Sequence, residues 1–197
     1  MRTTKDVILK CIEDSIRIKQ QLIKTDLEVI TQISDEIIHA YRKGNKVVWF
    51  GNGGSAADAQ HLSCELVGKF YMKRKALESI ALTTNTSILT AIANDYNFSE
   101  VFSRQVEALV KPGDVVIGIS TSGISQNVIH GLKEAKKRGA TTVAFTGKSN
   151  DGKIKENVDY LIAVPSSDTA RIQEAHIMIG HIICNLVEKE LFDKNTS

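Results

Sequence analysis

From residue 45 onward, short runs of consecutive apolar residues alternate with longer stretches of helical periodicity. The runs are Lys46–Phe50, Ile80–Thr83, Val115–Ile119, Thr142–Thr146 and Tyr160–Val164. Continuous apolar strands that alternate with helices are typical of a parallel sheet that is buried on both faces. The sequence therefore predicts an α/β fold, in which a five-stranded parallel sheet is flanked by helices in a flavodoxin- or Rossmann-like three-layer arrangement.

The first 43 residues carry a different pattern, in which apolar residues recur every three to four positions. This spacing predicts two amphipathic helices that break near Lys24. The segment Thr25–Glu28 matches a capping box, and Gly44 matches a helix stop. We expect residues 1–43 to form N-terminal helices that belong to the same domain as the sheet.

Length and charge exclude several classes of protein. A chain of 197 residues suits one domain. Its 25 basic and 23 acidic residues give a net charge of +2, which offers no electrostatic basis for binding nucleic acid or a membrane surface. No apolar segment follows the basic start, and three scattered cysteines suit a reducing compartment. We therefore expect a cytoplasmic protein with no membrane span.

The loop after the first predicted strand is rich in glycine and reads Gly51–Ala56. Glycines let the backbone approach a ligand closely, and the following helix N-terminus favours an anion. The segment also fits a dinucleotide fingerprint, but that fingerprint needs an acidic residue at the end of the second strand. The nearest acid, Glu78, precedes that strand, so the dinucleotide interpretation is weak.

The loop after the third predicted strand, Ser120–Ser125, contains four hydroxyl side chains before a helix. Hydroxyls and free amides at a helix start form a suitable site for a phosphate group. Helix capping would need one hydroxyl rather than four, so we favour the phosphate site over a capping role. The loop lacks the Gly-Lys-Ser/Thr of a triphosphate site.

Two predicted helices carry side chains that could bind a metal. His61 and Glu65 are four residues apart and share one helix face, while Gln173 and His181 lie on the last helix. Two imidazoles, a carboxylate and an amide oxygen are suitable zinc ligands, and the same groups could act as acid and base. Spacing alone does not distinguish such a site from a solvated helix face, which remains the alternative interpretation of His61 and Glu65.

Other polar residues have simpler interpretations. His39 and His130 are expected to be solvated, and His176 is expected in the core or an interface. Cys64 and Cys184 are expected to be buried thiols, and the basic cluster Lys69–Lys75 is expected to be a solvated helix end.

Four motifs together resemble the sugar isomerase (SIS) domain family, and within it the phosphoheptose (sedoheptulose 7-phosphate) isomerases. They are Gly51–Glu65, Ala93–Asp95, Gly118–Gly123 and Arg171–His176. The resemblance covers essentially the whole chain, with 44–197 as the SIS domain. It implies the conversion of D-sedoheptulose 7-phosphate to D-glycero-D-manno-heptose 7-phosphate through an enediol. That reaction begins the synthesis of nucleotide-activated heptose for lipopolysaccharide, capsule or S-layer glycans.

The resemblance also implies site residues and an assembly. It implies a homotetramer with active sites between subunits, and one zinc ion per subunit held by His61, Glu65, Gln173 and His181. It assigns the catalytic base to Glu65 and the acid to His181. The implied substrate contacts are Asn52, Gly53, Gly54, Ser55, Glu65, Asn94, Asp95, Ser120, Thr121, Ser122, Ser125 and Gln173.

An alternative within the same fold is a non-catalytic binding protein of the replication-initiator-associating type, which binds the bacterial replication initiator DnaA. That type lacks the catalytic carboxylate, whereas Glu65 is present here. Two positions depart from the usual family pattern, with Lys69 where arginine is common and Asn85 where aspartate is common. These departures leave the fine substrate preference open.

Overall fold

A computed structural model describes residues 3–148 and 153–193. The chain opens with α1 (Thr4–Thr25) and α2 (Leu27–Arg42) and then forms the sheet. The strands are β1 (Val47–Gly51), β2 (Ser79–Ala81), β3 (Val115–Ser120), β4 (Thr141–Thr146) and β5 (Tyr160–Ala163). The later helices are α3 (Gly54–Val67), α4 (Thr86–Asp95), α5 (Ser103–Leu109), α6 (Gln126–Lys137) and α7 (Thr169–Phe192).

All five strands are parallel, and their order in the sheet is β2-β1-β3-β4-β5. This is the flavodoxin-like doubly wound order, in which ligands bind beyond the carboxyl ends of the strands near the β1/β3 switch point. The predicted fold class is confirmed.

Successive residues of each strand point to opposite faces of the sheet, and each face packs into its own hydrophobic core. Trp49 and Ile117 join the core that α1, α2, α3 and α7 cover, whereas Phe50 and Val116 join the core beneath α5 and α6. Burial on both faces explains why the strands are apolar without alternation.

The N-terminal helices confirm the predicted break but not the predicted cap. Asp26 ends α1 by donating its N–H to the Leu22 carbonyl and also precedes α2, without a side-chain capping bond. The Thr25 hydroxyl donates to the Gln21 carbonyl instead, so the capping box at Thr25 is wrong. Gly44 has φ +79 and follows α2, as expected for a helix stop.

Two helices were missed from the sequence. Helix α4 contains no buried residue, and α5 has only seven residues. Neither therefore has the long periodic row of apolar residues from which a helix is predicted. Among the described residues, no helix is long and apolar enough to cross a membrane. The division of the chain at residues 43 and 44 stays a prediction.

Candidate active site

The two loops predicted to bind a ligand lie side by side, because β1 and β3 are neighbours with Gly51 opposite Ile119. A Cβ atom on Gly51 would lie 2.8 Å from the Ile119 carbonyl oxygen, so only glycine fits at this position. Gly53 has φ +55, a backbone conformation that favours glycine and turns the chain into α3.

Two asparagines join these loops. Asn52 Nδ2 donates to Asn127 Oδ1 at 2.9 Å, and Asn127 Nδ2 donates to Asn52 Oδ1 at 2.8 Å. The amide of Asn52 therefore fixes the glycine loop against the start of α6. Sequence analysis missed Asn127, because its partner lies 75 residues away and leaves no local pattern.

Three serine hydroxyls converge in the loop after β3. Ser120 Oγ lies 3.0 Å from Ser125 Oγ and 3.5 Å from Ser122 Oγ, and it accepts the Gly123 N–H at 3.2 Å. Ser125 occupies the N-cap position of α6 without a side-chain capping bond. This arrangement argues against simple capping and suits the binding of a phosphate group at a helix start.

His61, Glu65 and His181 come together between α3 and α7. His61 Nε2 lies 3.1 Å from Glu65 Oε1 and 3.0 Å from His181 Nε2. One possible ligand atom of each residue lies within 4.8 Å of the other two. The pKa of His181 is lowered by burial and by the charge of His61, while Glu65 opposes the shift. A neutral imidazole is the form that binds metal.

The donor set of this group fits zinc. Two nitrogens on one tetrahedral zinc ion lie about 3.3 Å apart, given Zn–N bonds of about 2.0–2.1 Å. The imidazole nitrogens here are 3.0 Å apart, and the Glu65 side chain is partly shielded at 22% exposure. Two imidazoles and a carboxylate also match the ligand types that zinc prefers. These residues form a possible metal site.

Gln173 is not brought into that group within one chain. An ideal Cβ on Gly54 would lie 2.3 Å from Gln173 Nε2, so the amide lies at the start of α3. His61 is seven residues farther along α3, and His181 is eight residues beyond Gln173 on α7. Each separation corresponds to about 10–12 Å along a helix. The assignment of Gln173 as a fourth ligand stays a prediction.

Asp58 is a carboxylate on the same side of α3 that sequence analysis missed. It lies three residues before His61 and four after Gly54, spacings that place all three on one helix face. Burial raises the pKa of Asp58 to about 6, against the opposing effect of His61. Its buried Oδ2 atom has no hydrogen-bond partner among the described residues. The three-residue spacing to His61 could have identified it.

An open cavity of about 450 Å³ lies beside His181. Its lining is mostly apolar and includes Phe70, Tyr71, Ile177 and Met178, with no residue of the serine loop. Its polar lining residues are Lys19, Glu174, His181 and Asn185, so the cavity offers a few polar partners but not the hydroxyl-rich loop that suits a phosphate group.

The remaining predicted substrate contacts are dispersed in one chain. Asn94 and Asp95 end α4 at the surface, where Asn94 Nδ2 donates to Asp95 Oδ1 at 2.9 Å. Ser55 is buried in the first turn of α3. Asn85 caps α4 by accepting the Ile88 N–H at 3.0 Å, a role that aspartate fills equally well.

Several simpler expectations need correction. Cys64 is exposed and not buried, whereas Cys184 is buried as expected. His130 is half-buried and forms a hydrogen bond with Glu100 Oε1 at 2.9 Å, so it is not simply solvated.

Arg74, in the basic cluster, has a side chain that is only 2% exposed, so that cluster is not simply a solvated helix end. His176 lies in the core, as one of its two predicted locations required.

The sheet order, the hydroxyl-lined loop at the β1/β3 switch point and the histidine–carboxylate group together define an α/β phosphosugar enzyme domain. Residues 11–147 match the family model described as SIS domain. The phosphoheptose isomerase of Clostridium acetobutylicum is 53% identical over 95% of this chain and 96% of its own length. That of Aquifex aeolicus is 52% identical over 95% and 98%.

Solved structures agree. The phosphoheptose isomerase of Neisseria gonorrhoeae matches with a TM-score of 0.89 at 43% identity, over 95% of this chain and all of that one. The Francisella tularensis phosphoheptose isomerase matches with a TM-score of 0.91 at 34% identity, with the same coverage. The chain belongs to the SIS domain family, and within it to the phosphoheptose isomerases.

Proposed function

We propose that this protein converts D-sedoheptulose 7-phosphate to D-glycero-D-manno-heptose 7-phosphate. The observation that carries the proposal is the presence of the His61–Glu65–His181 group in a chain about half identical to phosphoheptose isomerases. The comparisons favour this isomerase over the replication-initiator-associating alternative. The product would enter the synthesis of nucleotide-activated heptose, and a cytoplasmic location stays a prediction.

The reaction moves a proton from C1 of the ketose to C2 through an enediol. A base must remove the C1 proton, and an acid must serve the two oxygens as the carbonyl moves from C2 to C1. We assign the base to Glu65 and the acid to His181. Support comes from their shared contact with His61, which keeps a carboxylate and an imidazole within reach of one substrate.

The phosphate group is assigned to the serine loop. The converging hydroxyls of Ser120, Ser122 and Ser125, with Thr121 beside them, give donors without a lysine. We assign the rest of the substrate to the glycine loop and neighbouring polar residues. These are Asn52, Gly53, Gly54, Ser55, Asn94, Asp95 and Gln173.

We assign one zinc ion per subunit to His61, Glu65 and His181, with Gln173 as the predicted fourth ligand. The support is the donor set and its spacing. When bound, zinc would polarise the oxygens of the substrate as a Lewis acid. His61 would help to hold the ion, while Glu65 and His181 would move the protons through the second carboxylate oxygen and the second ring nitrogen, which the metal would leave free.

We assign a homotetrameric assembly with active sites between subunits. Helix α1 leaves a row of large apolar side chains at the surface, which a second copy of the chain would cover. The cavity at His181 lacks the serine loop, so a neighbouring subunit would supply the missing polar contacts.

Replacing Glu65 with glutamine tests the proposed function. Loss of a positioned base typically lowers turnover by about 10²- to 10⁴-fold. We expect this loss in a coupled assay for aldoheptose phosphate, with binding of the ketose phosphate retained in calorimetry. Glu107→Gln, at an exposed position of α5, is the matched control. Substantial turnover by Glu65→Gln would contradict the assignment.

A further inference from the structure

The segment between α3 and β2 is anchored by one buried carboxylate. Glu188, on α7, is 1% exposed. Its oxygens accept the backbone N–H groups of Phe70 at 3.1 Å, Tyr71 at 2.6 Å and Met72 at 2.8 Å, and Arg74 Nε at 2.9 Å. Burial raises the pKa of Glu188, but these hydrogen bonds outweigh it and hold the pKa below its usual value. The residue is therefore a fully paired carboxylate.

Its partner Arg74 holds the end of α3. Arg74 Nη2 donates to the Glu65 carbonyl at 2.8 Å, and Nη1 donates to the Leu66 carbonyl at 2.7 Å. The last carbonyls of a helix have no partner within the helix, so the guanidinium replaces the bonds that α3 lacks. The backbone of Glu65 is thereby fixed while its side chain faces His61.

The same ion pair is also connected to His181, through Phe70. Phe70, whose N–H is bound by Glu188, stacks on the His181 ring at 5.5 Å between centroids and 30° between planes. Glu188 lies seven residues after His181 on α7, which places both on one side of the helix. The pair therefore holds Glu65 through Arg74 and His181 through Phe70.

We propose that the Arg74–Glu188 pair is a positioning pair, which sets the mutual placement of Glu65 and His181 for metal binding. It rests on the proposed function, because it presumes that His61, Glu65 and His181 bind zinc. Stability alone is a poor reason for this pair, since buried ion pairs often stabilise no more than apolar side chains would. Arg74 donates to Glu188, Leu66 and Glu65 from three different nitrogens, an arrangement that the single nitrogen of lysine cannot reproduce.

The test is the zinc affinity of the full-length protein carrying Arg74→Lys, measured by competition with a chromophoric chelator. Residues that support metal ligands typically alter affinity by about 10- to 100-fold when replaced. We expect that loss, with an altered visible spectrum of the cobalt-substituted protein. Arg42→Lys is the matched control. Arg42, on α2, also pairs with a glutamate of α7, because its guanidinium lies 2.6 Å from Glu190, but that pair is at the surface. The zinc affinity of Arg42→Lys should match that of the unaltered protein.

A purely structural role predicts a different result. Arg74→Lys would then lower the melting temperature of the metal-free protein, while the zinc affinity and cobalt spectrum of the folded protein stay unchanged. That outcome overturns the proposal. If Arg74→Lys does not fold, Phe70→Leu decides, because it keeps the ion pair and removes the stack on His181. We expect zinc affinity about two- to tenfold weaker in that variant, and an unchanged affinity would overturn the proposal.

Failure of the zinc assignment gives a distinct pattern. If Glu65→Gln loses zinc affinity and Arg74→Lys keeps it, only the positioning role is wrong. If Glu65→Gln binds zinc as tightly as the unaltered protein, the zinc assignment is wrong and the positioning proposal is overturned with it.

Discussion

His176 shows how a single buried residue connects the core to the ligand loops. Its Nε2 donates to the Thr146 carbonyl at 3.0 Å, and its Nδ1 has no partner among the described residues. Gly147, which follows Thr146 in the chain, donates its N–H to the Thr121 carbonyl at 3.0 Å. His176 therefore fixes the end of β4, which in turn supports the serine loop.

We predict that His176 makes the protein sensitive to acid. Burial lowers the pKa of His176 from 6.5 to about 4, although the Thr146 contact opposes this. The unfolded chain binds the proton below pH 6.5, so stability is lost as pH falls from 6.5 to about 4. The loss reaches about 3 kcal/mol. The advantage of the unaltered protein over His176→Gln in urea unfolding should shrink by that amount across the window.

His39→Gln, at an exposed position, is the control for this measurement. It should track the unaltered protein at each pH. A stability difference between His176→Gln and the unaltered protein that does not vary with pH would show that His176 is not the acid-sensitive group.

At the residue scale, spacing within one helix identified His61 and Glu65 but not Asp58, and no spacing connects Arg74 with its partner across the fold. His61 and Glu65 were found because four residues span one turn of helix. Arg74 and Glu188 are 114 residues apart, so no local pattern connects them.

At the element scale, the close contact between α3 and α7 determines where the histidines meet. An ideal Cβ on Gly180 would lie 2.4 Å from both methyl groups of Leu62. Leu62 and Gly180 immediately neighbour His61 and His181, so a glycine at this crossing lets the two imidazoles approach to 3.0 Å.

We predict that Gly180→Ala separates the helices. Overpacking of this kind costs about 1–3 kcal/mol, and the shift should also weaken zinc binding. Urea unfolding of the metal-free protein and chelator competition measure the two effects. The double variant Gly180→Ala with Leu62→Val should recover part of the lost stability and part of the lost zinc affinity. Leu62→Val alone is the reference for that comparison. Unchanged stability and zinc affinity in Gly180→Ala would contradict the role of this contact.

The predicted strands were confirmed within two residues at each end. In the central strands β1, β3 and β4 the reason is that nearly every residue is buried, which favours an unbroken apolar run. Helix α3 ends at Val67, so the basic cluster Lys69–Lys75 lies beyond the helix. Arg74 takes over the terminal carbonyls there, and that contact depends on the tertiary fold.

At the scale of the whole molecule, α1 has too little to pack against within one chain. Among its residues, only Ile18 and Leu22 are buried. The large apolar side chains that remain exposed in α1 and at the start of α2 are Val7, Ile8, Leu9, Ile12, Ile16, Ile23 and Leu27. A contiguous apolar face of this kind typically marks an interface between proteins.

We predict that charges on this face disrupt assembly and activity together. Ile8→Asp with Ile12→Asp should weaken association by about two orders of magnitude or more, because unpaired charges would be buried. Sedimentation velocity and the turnover assay measure the result. Gln20→Asp, at an exposed polar position, should leave both unchanged. A fully active monomer would contradict the assignment of active sites between subunits.

The sequence by itself determined the parallel sheet and its five strands, and it predicted the loops after β1 and β3 as ligand sites. The strands follow from a local pattern, since burial on both faces favours continuous apolar runs. Only the tertiary structure decided that Gln173 lies at Gly54 and that Arg74 pairs with Glu188, and it brought His61, Glu65 and His181 together as the family resemblance implied. The physical reason is that these contacts join side chains from distant parts of the chain, whose distances are determined by helix packing.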